Sequence, residues 1–118
     1  MQSDEHSCGF AAAQMVLNHF NISFRRAELV EELKVYKWPK GVLPWTMRKV
    51  MKSYGLSSSS SFSMYDLADV NLVCLGSPLH WVVWYGTSRK EEYVQYDPAE
   101  GQIKPQYDRF LFGLPVSS

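Results

Sequence analysis

The sequence is short of the features that mark several classes of protein. It has only two cysteines and three histidines, and twelve basic residues are balanced by twelve acidic ones. A single pair of cysteines is a poor framework for a small secreted domain, so we expect two thiols in a reducing compartment. No run of lysine or arginine stands out, so we expect neither nucleic acid nor an anionic membrane as a partner.

Long apolar runs and leader-like segments are also lacking. No apolar stretch approaches the roughly 20 residues that a membrane helix needs, so we expect no membrane segment. No charged start is followed by an apolar stretch and a cleavage site, so we expect no signal peptide. The chain has no internal repeat, and its one low-complexity stretch is the serine run at 57–61. That run predicts a surface connection that passes into a strand at Phe62.

The composition is that of a globular protein. Of 118 residues, 46% are apolar and 20% are charged, which predicts one domain over residues 1–118 with a modest core. Apolar residues at 11–17 predict a first helix that ends at 18–21. Ser23 is the expected N-cap of a second helix, and a third is expected to begin at Pro44 and stop at Gly55.

The second half of the sequence is rich in β-branched and aromatic residues. Strands are predicted over 70–75, 79–85 and 93–96, followed by a turn at Asp97, Pro98 and Gly101. Three helices followed by antiparallel strands predict an α+β domain. A cysteine before the first helix and a histidine on a strand can meet in such a layout.

Four residues have the types and the order that thiol catalysis requires. Cys8 is expected at a helix N-terminus, where the helix dipole stabilises a thiolate. His80 opens a predicted strand and is the candidate base, and Asp97, after the neighbouring strand, is the candidate for orienting it. The side chain of Gln2 and the backbone N–H of Cys8 are candidate donors to an oxyanion.

Each of these residues also has an ordinary structural explanation. Lone cysteines and histidines usually lie in cores, and Asp before Pro is common in turns. The order of all four favours catalysis over those explanations. We expect Cys74 to be core packing, His6 to be a turn residue and His19 to compensate the dipole of a helix end. A zinc site from Cys8, His6, His80 and Cys74 lacks the local ligand spacing of known sites.

The order Gln, Cys-Gly, His-Trp and Asp-Pro resembles that of papain-like cysteine peptidases of the C39 type and their C39-like relatives. These peptidases cut leader peptides after Gly-Gly in bacterial bacteriocin export. The resemblance runs through the segments QSDEHSCGFAAAQMVLNHF, ISFRRAELVEEL, GVLPWTMRKVMKSYGL, HWVVWYG and YVQYDPAEG. It implies a papain-like fold in which N-terminal helices pack on an antiparallel sheet, with the site in the cleft between them. It also implies Cys8 as nucleophile, His80 as base, Asp97 as orienting residue and Gln2 as oxyanion donor, with no metal or organic cofactor.

The chain departs from the family pattern in two places. Ser7 stands where the family often has Asp, and no G-x-x-x-x-G-K-[ST] loop for ATP phosphates is present. The resemblance therefore implies a polypeptide substrate and leaves open a larger parent protein or a transport partner. It implies the bacterial cytoplasm as location, or a reducing host cytosol if the protein is a delivered effector.

Two other functions fit the same residues. A glutamine deamidase of the effector type uses the same triad, and a degenerate C39-like domain binds a polypeptide without cutting it. Relatives of the second kind typically lose the cysteine, so the presence of Cys8 argues against that reading. Trp38 and Trp45 flank a loop with Pro and Gly, and they are candidates for lining a substrate groove.

Overall fold

The computed structural model describes residues 4–33, 42, 44–63, 67–76, 80–86, 93–97 and 101–118, and the side chains of 4–8 lie outside this description. Three helices precede the main strands. They are α1 (Asp4–His19), α2 (Arg26–Leu33) and α3 (Pro44–Ser53). The strands are β1 (Ser57–Ser58), β2 (Val70–Leu75), β3 (His80–Tyr85), β4 (Val94–Asp97), β5 (Gly101–Ile103) and β6 (Phe110–Ser117), and a short 3-10 helix at Tyr107–Arg109 precedes β6.

The strands form one six-stranded sheet in the order β1-β6-β2-β3-β4-β5, and every neighbouring pair is antiparallel. Three helices packed on this sheet confirm the predicted α+β class. β2 lies in the middle of the sheet, and all six of its residues are buried. Within the described ranges, no helix is long and apolar enough to cross a membrane.

Helix α1 ends where the sequence predicts and begins earlier. Ile22 N–H bonds to Leu17 O at 2.9 Å and Asn21 N–H to Asn18 O at 3.1 Å, with Asn21 at a φ of 59°. This is the left-handed cap that Asn tolerates. The helix begins at Asp4 because acidic residues favour the first turn, a signal that the apolar pattern from residue 11 onward does not contain.

The second helix begins later than predicted, and the third begins and ends as predicted. Leu29 N–H bonds to Arg25 O at 2.9 Å, so α2 starts after Arg25, and the prediction that Ser23 is its N-cap is wrong. At the end of α3, Leu56 N–H bonds to Met51 O at 3.0 Å, and Gly55 has a φ of 87°. Gly55 is therefore the glycine that closes α3.

The sheet buries side chains on both faces. The face under the helices packs against small and aliphatic side chains, with Ala12, Leu17, Leu29, Met47 and Met51 fully buried. The opposite face carries a second, smaller core that includes Val82 and Trp84 of β3. This second core is covered by the 3-10 helix and the start of β6, because the rings of Tyr107 and Phe110 pack against Trp84.

Three parts of the sheet differ from the sequence prediction. The serine run includes edge strand β1, which pairs with β6, and Phe62 lies outside the strands with 80% of its surface exposed. Strands β5 and β6 were not predicted. Residues 101–103 are mostly polar, and β6 contains Gly113 and Pro115, which lower the strand tendency of a segment.

Substituting Gly55→Ala is expected to destabilise the fold by about 1–2 kcal/mol, because the left-handed backbone conformation that Gly adopts freely is strained for Ala. Nothing lies within 4 Å of the added methyl, so the cost is conformational and not steric. Gly55→Asn is the control and is expected to cost less. Urea unfolding at 25 °C measures both, and a Gly55→Ala variant as stable as the wild type would contradict the assignment.

Candidate active site

The candidate base and its orienting residue are in direct contact. His80 is the first residue of β3 and Asp97 the last residue of β4. The His80 Nε2–H donates to Asp97 Oδ2 at 2.9 Å, since a carboxylate only accepts. Only 22% of the His80 side chain and 7% of the Asp97 side chain are exposed. The structure therefore brings the candidate base and its candidate orienting residue into contact.

Strand pairing explains how two residues distant in sequence meet. The β3–β4 ladder pairs Val83 with Tyr96. The next residue of β4, Asp97, therefore has its side chain on the same face of the sheet as that of Val82. His80 is then a diagonal neighbour of Asp97 on the same face, within reach of a long side chain. Asp97 is the last residue of a strand and not part of the turn beyond it, and it pairs with Gly101 of β5.

The pair lies on the face of the sheet that is turned away from the helices. Trp81 packs in the core under the helices, whereas Val82 and Trp84 belong to the second core. Because side chains alternate along a strand, His80 shares the face of Val82 and Trp84. Trp81 faces the opposite way from His80. The pair therefore lies at the end of β3 and not beneath the helix layer.

Helix α1 runs alongside β3 in the same direction. Near its start, a methyl added to Gly9 would lie 2.5 Å from Val42 Cγ2 and 3.4 Å from Trp81 Cδ1. The Trp81 Nε1–H donates to Val42 O at 2.9 Å and holds the indole in this position. Near the helix end, the Tyr85 hydroxyl donates to Met15 O at 3.5 Å. Gly9 is thus level with the first residues of β3.

This alignment locates the backbone of the candidate nucleophile. Cys8 precedes Gly9 as His80 precedes Trp81, so both candidates lie at the same end of the α1–β3 pair. Cys8 is the fifth residue of α1, and the helical pattern pairs its N–H with the carbonyl of Asp4. The prediction that Cys8 stands at the helix N-terminus is therefore wrong by about one turn. The Cys8 and His6 side chains, and all of Gln2, lie outside the described residues.

The second cysteine is part of the core. Cys74 is a buried thiol in β2, packed under the helices, and its S–H donates to Leu75 O at 3.8 Å. This agrees with its predicted role in packing. His19 lies in the last turn of α1, as predicted, with its ring 5.1 Å from that of Tyr85. Among the described residues, no group of three His, Cys, Asp or Glu is arranged to hold a metal ion.

A buried glutamine next to the pair was not predicted. Gln95 of β4 is fully buried, and its Oε1 accepts from Trp84 Nε1–H at 2.9 Å and from Gln106 N–H at 3.0 Å. Its Nε2–H donates to Gln106 Oε1 at 2.8 Å. The available signal was the alternation of YVQYD, which places Gln95 on the same face as Asp97, two residues away.

Two surface grooves lie away from the pair. Trp45 of α3 is 67% exposed and lines a groove of about 340 Å³ with Glu32 of α2, while Trp38 lies outside the described residues. A second groove, of about 720 Å³, lies between the end of α1 and strands β3 to β5 and is lined by Tyr85 and Tyr96. Burial, with Tyr96 nearby, raises the pKa of the Tyr85 hydroxyl above its ordinary value.

Comparisons with known proteins identify the family and the fold of the chain. The sequence model of the Peptidase C39 family matches residues 1–112. A crystal structure of a double glycine motif protease from an AMS/PCAT transporter, in complex with the leader peptide, is 21% identical with a TM-score of 0.79, covering 98% of this chain and 86% of that one.

The peptidase domain of Streptococcus ComA, a bifunctional ABC transporter of a quorum-sensing pathway, is a second structural neighbour. It is 19% identical with a TM-score of 0.74, and the match covers 98% of this chain and 94% of that one. Among curated proteins, no sequence matches the chain. The predicted papain-like fold is therefore confirmed, with members of the C39 type as its structural neighbours.

Substituting Gly9→Ala is expected to destabilise the fold by about 1–3 kcal/mol, because the new methyl overlaps the stiff side chain of Val42. Val42→Ala removes the overlapping methyl groups, so the Gly9→Ala/Val42→Ala double variant is expected to recover part of that loss. A double-mutant cycle on unfolding free energies measures the coupling. Strict additivity of the two substitutions would contradict the close approach of α1 at Gly9.

Proposed function

Because the chain belongs to the Peptidase C39 family, whose members are cysteine peptidases, we propose that it hydrolyses a peptide amide with Cys8, His80 and Asp97 as its triad. The observation that supports this most directly is the 2.9 Å bond between His80 and Asp97 at the end of the α1–β3 pair. The backbone of Cys8 lies at that same end.

The His80–Asp97 bond decides which ring nitrogen does the chemistry. With Nε2–H directed to the carboxylate, Nδ1 is the nitrogen that takes the Cys8 thiol proton. The negative charge of Asp97 favours the imidazolium that results, and so favours the thiolate. The thiolate then attacks the carbonyl carbon of the peptide bond.

The attack places a negative charge on the carbonyl oxygen, which requires hydrogen-bond donors. The N–H of Cys8 is engaged within α1, so the side-chain amide of Gln2 takes the larger part of this role in the proposal. His80 then protonates the leaving amine, and an acyl-enzyme remains on Cys8. Water, deprotonated by His80, releases the acid and restores the thiol.

The proposed substrate is a polypeptide that carries a double glycine motif. Its basis is the structural neighbour that is a double glycine motif protease in complex with the leader peptide. Residues 1–118 act in this proposal as a single peptidase domain, with a larger parent protein or a transporter as partner. The reaction needs a reduced Cys8, so we place the protein in a reducing compartment such as the bacterial cytoplasm.

The test is cleavage of a synthetic leader-type peptide with a Gly-Gly site, followed by mass spectrometry. The wild type is expected to cut after the second glycine, and Cys8→Ala to have no activity. Iodoacetamide near neutral pH is expected to modify Cys8 quickly and the buried Cys74 slowly, so Cys74→Ala is the matched control. Fast alkylation of Cys8 together with release of ammonia from a glutamine substrate would indicate a deamidase. Equally slow alkylation of both thiols would indicate a domain that binds a polypeptide without cutting it.

Gln2→Ala is expected to lower peptide turnover by about 10²–10³, the usual effect of removing one oxyanion donor. Alkylation of Cys8 by iodoacetamide is expected to stay close to wild type, because that reaction builds no oxyanion. Comparing the two rates in one preparation separates a lost donor from a damaged thiol. If both rates stay unchanged, Gln2 is not the donor; if both fall together, its role is structural.

A further inference from the structure

We propose that Gln95 is a positioning residue for the reaction, which holds Asp97 against His80 through a buried hydrogen-bond network. The inference rests on the proposed function, because it concerns the base of that triad. It assigns a role to the fully buried polar side chain on β4 that does not belong to the triad.

Strand pairing alone leaves the catalytic end of β4 weakly held against β3. Among the described residues, the ladder between the two strands has three residue pairs, and the pair nearest to Asp97 is Val83 with Tyr96. Asp97 and His80 both lie beyond that pair. The distance between them therefore depends on side-chain contacts near the end of the ladder.

Gln95 provides such a contact on the same face as the triad pair. Its Oε1 accepts the indole N–H of Trp84 at 2.9 Å, which joins β4 to β3 two residues before Asp97. Trp84 and Gln95 are also partners in the backbone ladder, and a hydrogen bond inside a core is costly to break, so this link reinforces the pairing of the two strands two residues before Asp97.

The other bonds of Gln95 join this link to the end of β2. Gln95 exchanges two hydrogen bonds with Gln106, at 2.8 and 3.0 Å. Three residues on, Arg109 Nε–H donates to Gly76 O at 2.9 Å, and Gly76 N–H donates back to Arg109 O at 2.8 Å. Gly76 follows Leu75, the residue paired with His80. The network thus connects β4, the strand of Asp97, to β3, the strand of His80, and to the end of β2.

A second buried residue provides a matched control on the same face. Asn71 is also fully buried and also makes three hydrogen bonds, two with Ala68 and one with Trp84 O. It pairs with Trp84 from the β2 side, whereas Gln95 pairs with Trp84 from the β4 side, the strand that carries Asp97. Gln95→Leu and Asn71→Leu therefore each remove a buried amide beside Trp84, but only Gln95→Leu removes one from the strand of Asp97.

The experiment compares the two variants by peptide kinetics, by the pH dependence of Cys8 alkylation and by unfolding free energy. Both are expected to lose stability. Gln95→Leu alone is expected to lower kcat about tenfold with KM little changed, since misplaced catalytic groups act on the chemical step. Its alkylation profile is expected to move its acid limb to higher pH, because a looser Asp97 stabilises the imidazolium less. Asp97→Ala gives the limit of that shift.

A milder pair covers the case in which the leucine variants do not fold. Gln106→Ala removes one bond of Gln95, from its Nε2–H to Gln106 Oε1, and keeps the bond from the Gln106 backbone N–H. Tyr93→Phe removes the bond from the Tyr93 hydroxyl to Ala68 O, 3.0 Å long, at the far end of the same face. Gln106→Ala is expected to move the alkylation profile in the same direction by a smaller amount, and Tyr93→Phe to leave it in place.

The outcomes separate this inference from the proposed function. A fast Cys8 in the wild type, with equal profiles and equal kcat in the Gln95 and Asn71 variants, overturns the positioning role and leaves the peptidase intact. A slow Cys8 in the wild type overturns the peptidase and this inference with it. A shift in the Gln95 and Gln106 variants alone supports the positioning role.

Discussion

The close contact between helix α1 and strand β3 is the constraint on which the candidate site depends. A helix backbone approaches this near only at a residue without a side chain, and Gly9 is that residue. The indole of Trp81 and the side chain of Val42 fill the space that a methyl would need. Because Cys8 and His80 immediately precede Gly9 and Trp81, this single packing contact sets how close the backbones of the proposed nucleophile and base lie.

The two faces of the sheet are packed with different kinds of side chain and hold different parts of the structure in place. The face under the helices is packed with aliphatic side chains and holds α1 in place. The opposite face combines aromatic rings with the buried amides Asn71 and Gln95, whose hydrogen bonds have direction as well as strength. His80 and Asp97 lie on this second face, so polar contacts determine their geometry and the aliphatic core determines the position of the helix.

How much was predictable depended on whether the signal was local. The bounds of β2 agree with the prediction because a buried apolar run is visible in the sequence itself. The contact of His80 with Asp97 was predictable because the antiparallel hairpin of β3 and β4 brings the end of β4 back to the start of β3. The start of α1 was missed because Asp4 and Glu5 are polar. β6 and the Gln95–Gln106 bonds were missed because they form only when a distant segment returns across the sheet, which no local pattern records.

The position of β6 has a consequence for how this protein folds. The last strand in sequence is not at the edge of the sheet but between β1 and β2, where Val70 pairs with Val116. Contacts between distant residues raise contact order and slow folding. During synthesis, β2 lacks one of its two neighbours until the last strand emerges from the ribosome. Until then the partly formed sheet exposes an apolar strand edge, which is a site for aggregation and for chaperone binding.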